Sequence, residues 1–488
     1  MKIFLPKFKK LKNYKKVLIN LFLASNLTLI ATGSAELNTS TDSANLNNAT
    51  DSANLSIERT PAVSNIVHTP VTDPSGKFYE NQISVKFKDG VSPESKLAVV
   101  EANNAAIIQE LPYTGITVLK VDPARRESIL ASLASDPNVE RVKRNYIMRA
   151  LEGGGGGGGG GSSCITNDYY YCYDQLASWG LRKIQAPEAW NIRKGDPSKY
   201  IAVLDTGIDY NHYDLGLATN GGRVVKGWDF FNPFEYPNDP MDDSNNSHGT
   251  IVSGILGAKT NNYNGMAAVD WYAKIVAIKV LGPNGLGPTD FGAEGIRFAV
   301  DNYPNLKVIN MSVGQTQVDD PDLKNAVKYA QDHGVYVVAG TANSQSGVTN
   351  CFMGFPAAYT AVISVVATNQ SDGHASGCTG NVFNNKVYQR VQITAPGEMI
   401  FSLQRNNVIG YVYEWTPGGS RVIAAGTSLA TPYVSGVLSV LASCSSIPSI
   451  DLVLGADDRG PVGWDSTYGF GRLNMYKSLQ RARNRGDC

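Results

Sequence analysis

Three short motifs supply side chains that together can carry out acyl transfer. Asp205 ends an apolar run and is followed by Thr-Gly, His248 lies in Ser-His-Gly-Thr, and Ser428 lies in Gly-Thr-Ser-Leu-Ala-Thr-Pro. A serine hydroxyl is a poor nucleophile at neutral pH, so it needs an imidazole to accept its proton and a carboxylate to fix the tautomer of that imidazole. The three residue types therefore predict nucleophilic catalysis, provided that the fold brings them together.

Each motif alone also has a simpler interpretation. An Asp-Thr-Gly run commonly marks the turn after a strand, and His248 could be a loop histidine without a task. Thr427 and Ser428 could cap a helix, because Ser and Thr satisfy free backbone N–H groups at helix starts. All three motifs occur in one chain, in the order Asp, His, Ser. This conjunction favours the catalytic interpretation.

The motifs and their order resemble those of the subtilisin-like serine peptidases, or subtilases. The resemblance covers roughly 300 residues, which read as one domain. It implies a serine endopeptidase in which Asp205 orients His248, His248 acts as base and then acid, and Ser428 is the nucleophile. The competing interpretation is a catalytically silent binding protein on the same scaffold, and the retention of all three residues argues against it.

The resemblance extends to the groups that would hold the substrate. Asn343 looks like the subtilase asparagine that donates to the oxyanion, although Ala342 stands where the family usually has glycine. Asn343 could instead only tolerate a left-handed turn. Two Gly-rich segments look like those that bind a peptide as an added strand, and either could be a plain turn. The substrate-binding candidates in them are Gly287, Ser312, Val313 and Gly314.

Apolar runs of strand length alternate with helical stretches between residues 200 and 366. This alternation predicts an α/β fold with a largely parallel sheet and helices on both faces, as in subtilisin-like proteins. Active sites of such sheets lie at the carboxyl ends of the strands, where Asp205 and Asn343 fall.

A smaller α+β domain is predicted before it, over residues 76–151. The pattern indicates strands at 83–87, 116–121 and 139–148 and helices at 92–106 and 126–134. It resembles the ferredoxin-like subtilase propeptide, which assists folding and then occludes the active site, although an unrelated α+β module is the alternative. The resemblance implies self-cleavage between Leu151 and Glu152.

The remaining segments predict export and flexible connections between the domains. Seven lysines in the first sixteen residues precede an apolar stretch and the small residues before Glu36, which predicts a signal peptide over residues 1–35. An uncleaved N-terminal anchor is the alternative. Residues 36–75 are polar and repetitive and are predicted to be a disordered spacer. Nine glycines fall in a predicted linker over 152–178, and the catalytic domain is expected over 179–488.

Charge and composition limit the partners. Without the signal segment the chain has 36 basic and 43 acidic residues, so nothing favours nucleic-acid binding. We expect a secreted monomer without stable membrane association, with polypeptide substrates and its own propeptide as inhibitor. An adhesin that uses the tripeptide Arg485-Gly486-Asp487 is a further alternative, weakened because three residues match easily by chance.

The cysteine and acidic residues predict disulfides and a calcium site that would stabilise the fold. An even number of cysteines in a secreted chain favours disulfides, although free thiols remain an alternative if the chain is not exported. We expect neighbours to pair in order: Cys164 with Cys172, Cys351 with Cys378, and Cys444 with Cys488. No cofactor is needed for the chemistry. Structural calcium is predicted at Asp239, Asp242 and Asp243, with a solvated acidic loop as the alternative.

Overall fold

The computed structural model of the chain describes residues that all belong to one unit, His68–Cys488. The described residues are 71–72, 77–150, 165–174, 176–233, 237–314, 318–343, 353–374, 391–415 and 421–488. The predicted signal peptide, nearly all of the predicted spacer, the bond between Leu151 and Glu152 and the polyglycine run lie outside them.

The N-terminal module, residues 77–150, has the ferredoxin-like βαββαβ order. Its elements are β1 (Phe78–Phe87), α1 (Pro93–Ala102), β2 (Ala106–Leu111), β3 (Ile116–Lys120), α2 (Arg126–Ala134) and β4 (Val139–Ala150). The antiparallel strands lie in the order β4-β1-β3-β2. Ile83 of β1, Leu119 of β3 and Leu133 of α2 are fully buried in one apolar core. The predicted α+β architecture is confirmed.

One predicted helix boundary in this module was wrong. The helix expected to reach Ala106 ends at Ala102, because Asn103 caps it and Asn104 has a left-handed φ of 50°. The chain then turns into β2, a strand that the sequence pattern did not predict.

The C-terminal domain, residues 165–488, contains the remaining strands. They are β5 (Tyr200–Asp205), β6 (Val224–Asp229), β7 (Lys274–Lys279), β8 (Leu286–Pro288), β9 (Leu306–Met311), β10 (Val313–Gly314), β11 (Tyr336–Gly340), β12 (Val362–Thr368), β13 (Ile393–Pro396), β14 (Phe401–Gln404), β15 (Val408–Tyr411), β16 (Tyr413–Trp415) and β17 (Arg421–Ile423). Seven of them form a parallel sheet in the order β13-β12-β11-β9-β5-β7-β6.

Helices cover both faces of this sheet. The helices of the domain are α3 (Tyr169–Tyr173), α4 (Trp179–Lys183), α5 (Ala186–Ala189), α6 (His248–Gly257), α7 (Thr289–Asn302), α8 (Pro321–Asp332), α9 (Thr427–Ala442), α10 (Pro448–Leu454) and α11 (Met475–Asn484). Alternate residues of β5 face opposite ways: Ile201 and Val203 lie in the core with α6 and α9, whereas Ala202 and Leu204 lie in the core with α7 and α8. Burial on both faces explains why the strands are almost continuously apolar. The predicted α/β class is confirmed.

The module is joined to this domain through its last strand. β4 pairs with β1 inside the module and, further along, with β8 and β10 of the C-terminal domain. It also packs on α7. Among the described residues, no helix combines the length and apolar character needed to cross a bilayer.

Candidate active site

Asp205 and His248 are in direct contact at one edge of the sheet. Asp205 is the last residue of β5 and His248 the first of α6, and both side chains are buried. The Nδ1 nitrogen of His248 lies 2.7 Å from Oδ1 of Asp205. An ionised carboxylate only accepts hydrogen bonds, so this contact places the ring proton on Nδ1 and makes Nε2 the basic nitrogen.

A second buried carboxylate, that of Asp242, connects the two motifs. The hydroxyls of Thr206, Ser244 and Thr250 donate to Asp242 over 3.0, 2.6 and 2.6 Å. Thr206 follows Asp205 in the chain, and Thr250 lies in the first turn of the helix that begins with His248. Burial raises the pKa of Asp242, and the hydrogen bonds from Ser244 and Thr250 oppose that rise. Asp242 therefore holds Asp205 and His248 in a fixed relation.

The two motifs lie so close to each other that each requires its glycine. A Cβ atom on Gly249 would lie 2.0 Å from the carbonyl oxygen of Gly207. Gly207 itself has a φ of 103°, in the left-handed region that favours glycine. The Asp-Thr-Gly turn can thus lie directly against the start of α6.

Ser428 lies at the start of the neighbouring helix. It is in the first turn of α9, which packs against α6, and it is 1% exposed. Ser312, one of the predicted substrate-binding residues, donates from its hydroxyl to the carbonyl oxygen of Ser428 over 2.9 Å. Helices α6 and α9 thus pack against each other, and His248 and Ser428 lie in their first turns.

Asn343 is fixed against the same helix start. Its Oδ1 accepts from the backbone N–H of Thr427 at 2.9 Å and from the Thr427 hydroxyl at 3.0 Å. These contacts orient the side chain so that its NH₂ group points away from Thr427. The preceding Ala342 has a φ of 130°, a conformation that costs a non-glycine residue about 1–3 kcal/mol.

The end of the N-terminal module occupies the groove beside these residues. Met148 of β4 pairs with Gly287, Arg149 with Gly314, and Ala150 with Val313. Three of the four predicted substrate-binding residues therefore flank an extended segment of the chain itself. The fourth, Ser312, supports Ser428 as described above.

The structure does not bring the three predicted calcium ligands together. Asp239 contacts the Tyr210 hydroxyl and lies 3.0 Å from the ammonium of Lys226, Asp242 binds three hydroxyls, and Asp243 lies 2.6 Å from the ammonium of Lys279. Their carboxylates already have separate partners. Among the described residues, the carboxylates that do converge are those of Asp290, Asp320 and Asp322.

Two further buried carboxylates, those of Asp168 and Asp214, lie close to each other and were not predicted from the sequence. Asp168 accepts from the N–H groups of Asn261 and Asn262, and Asp214 accepts from the side chain of Asn262 at 2.8 Å. Burial, together with the charge of Asp168, raises the pKa of Asp214 to about 7. The run of asparagines after α6 was the one local signal for this oxygen-rich pair.

The cysteines and the terminal tripeptide are only partly described. Cys444 and Cys488 form a disulfide. Cys164, Cys351 and Cys378 lie outside the described residues, so their pairing, including that of Cys172, stays a prediction. In the terminal tripeptide, Arg485 pairs with Asp451 at 2.9 Å and with Asp487 at 2.9 Å. These internal ion pairs hold the tripeptide against the fold and disfavour an adhesin.

Comparison with known proteins agrees with the geometry. The subtilase family model matches residues 197–471, and the model of the fervidolysin N-terminal prodomain matches residues 64–145. Thermitase from Thermoactinomyces vulgaris is 36% identical over 316 residues, which cover 64% of this chain and 99% of thermitase. A thermophilic serine proteinase from Bacillus sp. (strain AK1) is 31% identical over 413 residues, covering 84% and 90%.

A solved structure resembles most of the chain. Fervidolysin from Fervidobacterium pennivorans, a keratinolytic enzyme related to subtilisin, is 25% identical with a TM-score of 0.64, and the match covers 84% of this chain but 62% of fervidolysin. Fold, site and relatives define a serine-type endopeptidase that acts on polypeptides. The chain belongs to the subtilase family, and its N-terminal module is a prodomain.

Proposed function

We propose that this subtilase is a secreted, self-processing endopeptidase that works through an acyl-enzyme intermediate with Asp205, His248 and Ser428 as its triad. The observation that carries the proposal is the 2.7 Å contact between Asp205 and His248, at the edge of the sheet where α9 presents Ser428. Export is supported by the basic and apolar N-terminal sequence.

The chemistry follows from the ring proton on Nδ1 of His248. As the Ser428 oxygen attacks the substrate carbonyl, its proton passes to Nε2 of His248, and Asp205 stabilises the resulting imidazolium. His248 then gives this proton to the departing amine, leaving an acyl group on Ser428. Water attacks the acyl group by the same route, releases the acid and restores the serine.

Asn343 and the backbone N–H of Ser428 would stabilise the oxyanion. Negative charge develops on the carbonyl oxygen in both steps, so donors fixed in advance lower both barriers. Thr427 donates to the oxygen of the Asn343 amide, so the donor side of the amide faces away from Thr427.

The position of β4 supports self-processing. A protease substrate binds as an extended strand added between two edges, and β4 lies in this way between β8 and β10. Leu151 and Glu152 follow Ala150 in the sequence, and the bond between them is the one that we take to be cleaved. After cleavage the prodomain would stay bound as a product and inhibit the enzyme.

Subtilases often bind structural calcium, and Asp168 and Asp214 fit such an ion better than the predicted loop. Calcium prefers carboxylate and amide oxygens, and it would relieve the repulsion that helps to raise the pKa of Asp214. Asp239, Asp242 and Asp243 offer no shared site.

Labelling with a fluorophosphonate tests the proposed chemistry. The processed wild type should incorporate one phosphonyl group on Ser428, and Ser428→Ala should incorporate none. A folded and processed wild type that stays unlabelled would instead support a catalytically silent binding protein.

A further inference from the structure

Three carboxylates of the C-terminal domain form an acidic cup beneath the prodomain. The acidic cup consists of Asp290 in the first turn of α7, Asp320 at the cap of α8, and Asp322 in the first turn of α8. One oxygen from each lies within 4.8 Å of the others. These groups lie outside the catalytic site, and the proposed mechanism does not use them.

The cup already holds a cation, which the prodomain provides. The ammonium of Lys143, in β4, lies 2.6 Å from Asp290 Oδ1, 2.6 Å from Asp320 Oδ2 and 3.6 Å from Asp322 Oδ2. The Asp290 and Asp320 side chains are fully buried. Burial alone would lower the pKa of Lys143, but the three carboxylates outweigh it and raise the pKa above its ordinary value.

The geometry around this ammonium suits a metal ion. Calcium binds oxygens at 2.3–2.6 Å, so an ion at the position of the ammonium would already lie at the outer limit for Asp290 and Asp320. Asp322 Oδ2 is buried and accepts no hydrogen bond within the described part of the chain, yet it faces the same point. Because the ammonium lies 3.6 Å away, this oxygen is a third ligand for a cation that takes more oxygens than an ammonium does.

Asp320 divides its two oxygens between the helix and the cup. Its Oδ1 accepts from the N–H groups of Asp322 and Leu323 at the start of α8, at 2.9 and 3.3 Å. Its Oδ2 faces the ammonium of Lys143 in the cup and also accepts from the hydroxyl of Thr289 at 2.5 Å. The helix cap therefore does not compete with a bound cation.

Both cations that neutralise the cup belong to β4. Arg141 pairs with Asp322, and Lys143 contacts all three carboxylates. When the prodomain leaves, three converging negative charges lose both partners. The starts of α7 and α8 carry only partial positive charge, too little to balance three carboxylates.

We propose that the acidic cup is a calcium site of the mature enzyme, which the ammonium of Lys143 fills as long as the prodomain is bound. Calcium and the prodomain then compete for the same three carboxylates, and calcium promotes release of the inhibitor. The release step rests on the proposed self-processing, whereas the binding site itself does not.

Calcium titration of the uncleaved chain tests the site without any need for activity. The full-length Ser428→Ala chain keeps Lys143 in the cup, so calorimetry should count one calcium fewer than in Ser428→Ala/Lys143→Ala. Adding Asp320→Asn should remove the extra ion, because asparagine keeps the helix cap but loses the charge. Lys86→Ala, which removes a prodomain lysine 3.7 Å from exposed Glu140, is the matched control and should gain no ion. Equal calcium counts with and without Lys143 would overturn the proposal.

A second measurement covers the case in which Lys143→Ala does not fold. In the wild type, calcium should speed the appearance of activity on a small peptide after cleavage, and in Asp320→Asn it should not. Magnesium demands shorter bonds and should act weakly in both. Equal acceleration by calcium in both chains would reject the cup. If the Lys143→Ala chain gains the extra ion but the wild type stays unlabelled by fluorophosphonate, only the proposed catalysis is rejected.

Discussion

The thioether of Met148 lies against the backbone of Gly292, where a Cβ atom would come within 2.6 Å of the Met148 Cε. Met148 is fully buried, in the same apolar cluster as Leu323 of the C-terminal domain. The prodomain thus fills a pocket whose depth depends on a glycine. If cleavage follows Leu151, Met148 is the fourth residue before the cut bond.

Gly292→Val should therefore change the substrate preference at that fourth position. Burying a methionine side chain is worth about 1.5–3 kcal/mol, so kcat/KM for a peptide with Met there should fall about 10- to 100-fold. A matched peptide with Ala at the same position should be cut nearly as before. Equal losses of kcat/KM for the two peptides would show that the pocket does not select for this side chain.

Asn343→Ala should lower kcat with little change in KM. Loss of one oxyanion donor costs about 100- to 1000-fold in turnover, a magnitude taken from subtilisin rather than derived for this chain. Fluorophosphonate labelling of Ser428 should still occur, though more slowly. A variant that keeps wild-type kcat would remove Asn343 from the mechanism.

Asp242→Ala should destabilise the fold and the site together. It leaves the buried hydroxyls of Thr206, Ser244 and Thr250 without their acceptor, and each such donor costs about 1–3 kcal/mol. Urea unfolding should show a loss of at least about 3 kcal/mol. The control is Asp239→Ala in the same segment, an exposed ion-pair partner whose removal should cost under about 1 kcal/mol. Equal losses of unfolding free energy in the two variants that depend on calcium would support the predicted calcium loop.

Asp214 should make stability depend on pH and on calcium. Its pKa rises from 3.8 to about 7 on folding, mainly through burial, so the folded state holds a proton that the unfolded chain releases. The contribution of Asp214 to stability is therefore greatest below pH 4 and is lost as the pH rises through 7. In a Ser428→Ala background with chelator, Asp214→Asn should melt higher than its parent at pH 8.

At pH 5, where Asp214 is protonated, the two chains should melt at similar temperatures. Calcium at pH 8 should raise the melting temperature of the parent and not that of the variant. If calcium does not change the melting temperature of the parent at pH 8, Asp168 and Asp214 are not a calcium site.

Local signals were enough to predict the sheet and the positions of the catalytic candidates. A strand that ends in Asp-Thr-Gly and helices that begin at His248 and Thr427 are specified by residues close together in sequence. Relations between distant elements were not predictable in this way, because tertiary packing alone brings Lys143 to Asp290 or Asp168 near Asp214.

The calcium prediction also shows that closeness in sequence does not determine closeness in space. Asp239, Asp242 and Asp243 are neighbours in sequence, and the prediction treated them as neighbours in space. Outside regular structure each side chain turns toward its own partner, so proximity along the chain did not produce a shared site.

Maturation in isolation decides whether Ser428 cuts the strand that lies in its own groove. The purified wild type and Ser428→Ala chains are refolded from denaturant with no other protease present, and each product is measured by intact mass and N-terminal sequencing. We expect a wild-type fragment that begins at Glu152 and a Ser428→Ala chain that stays whole. A Ser428→Ala chain cut at the same bond, or a folded wild type that stays whole, would contradict it.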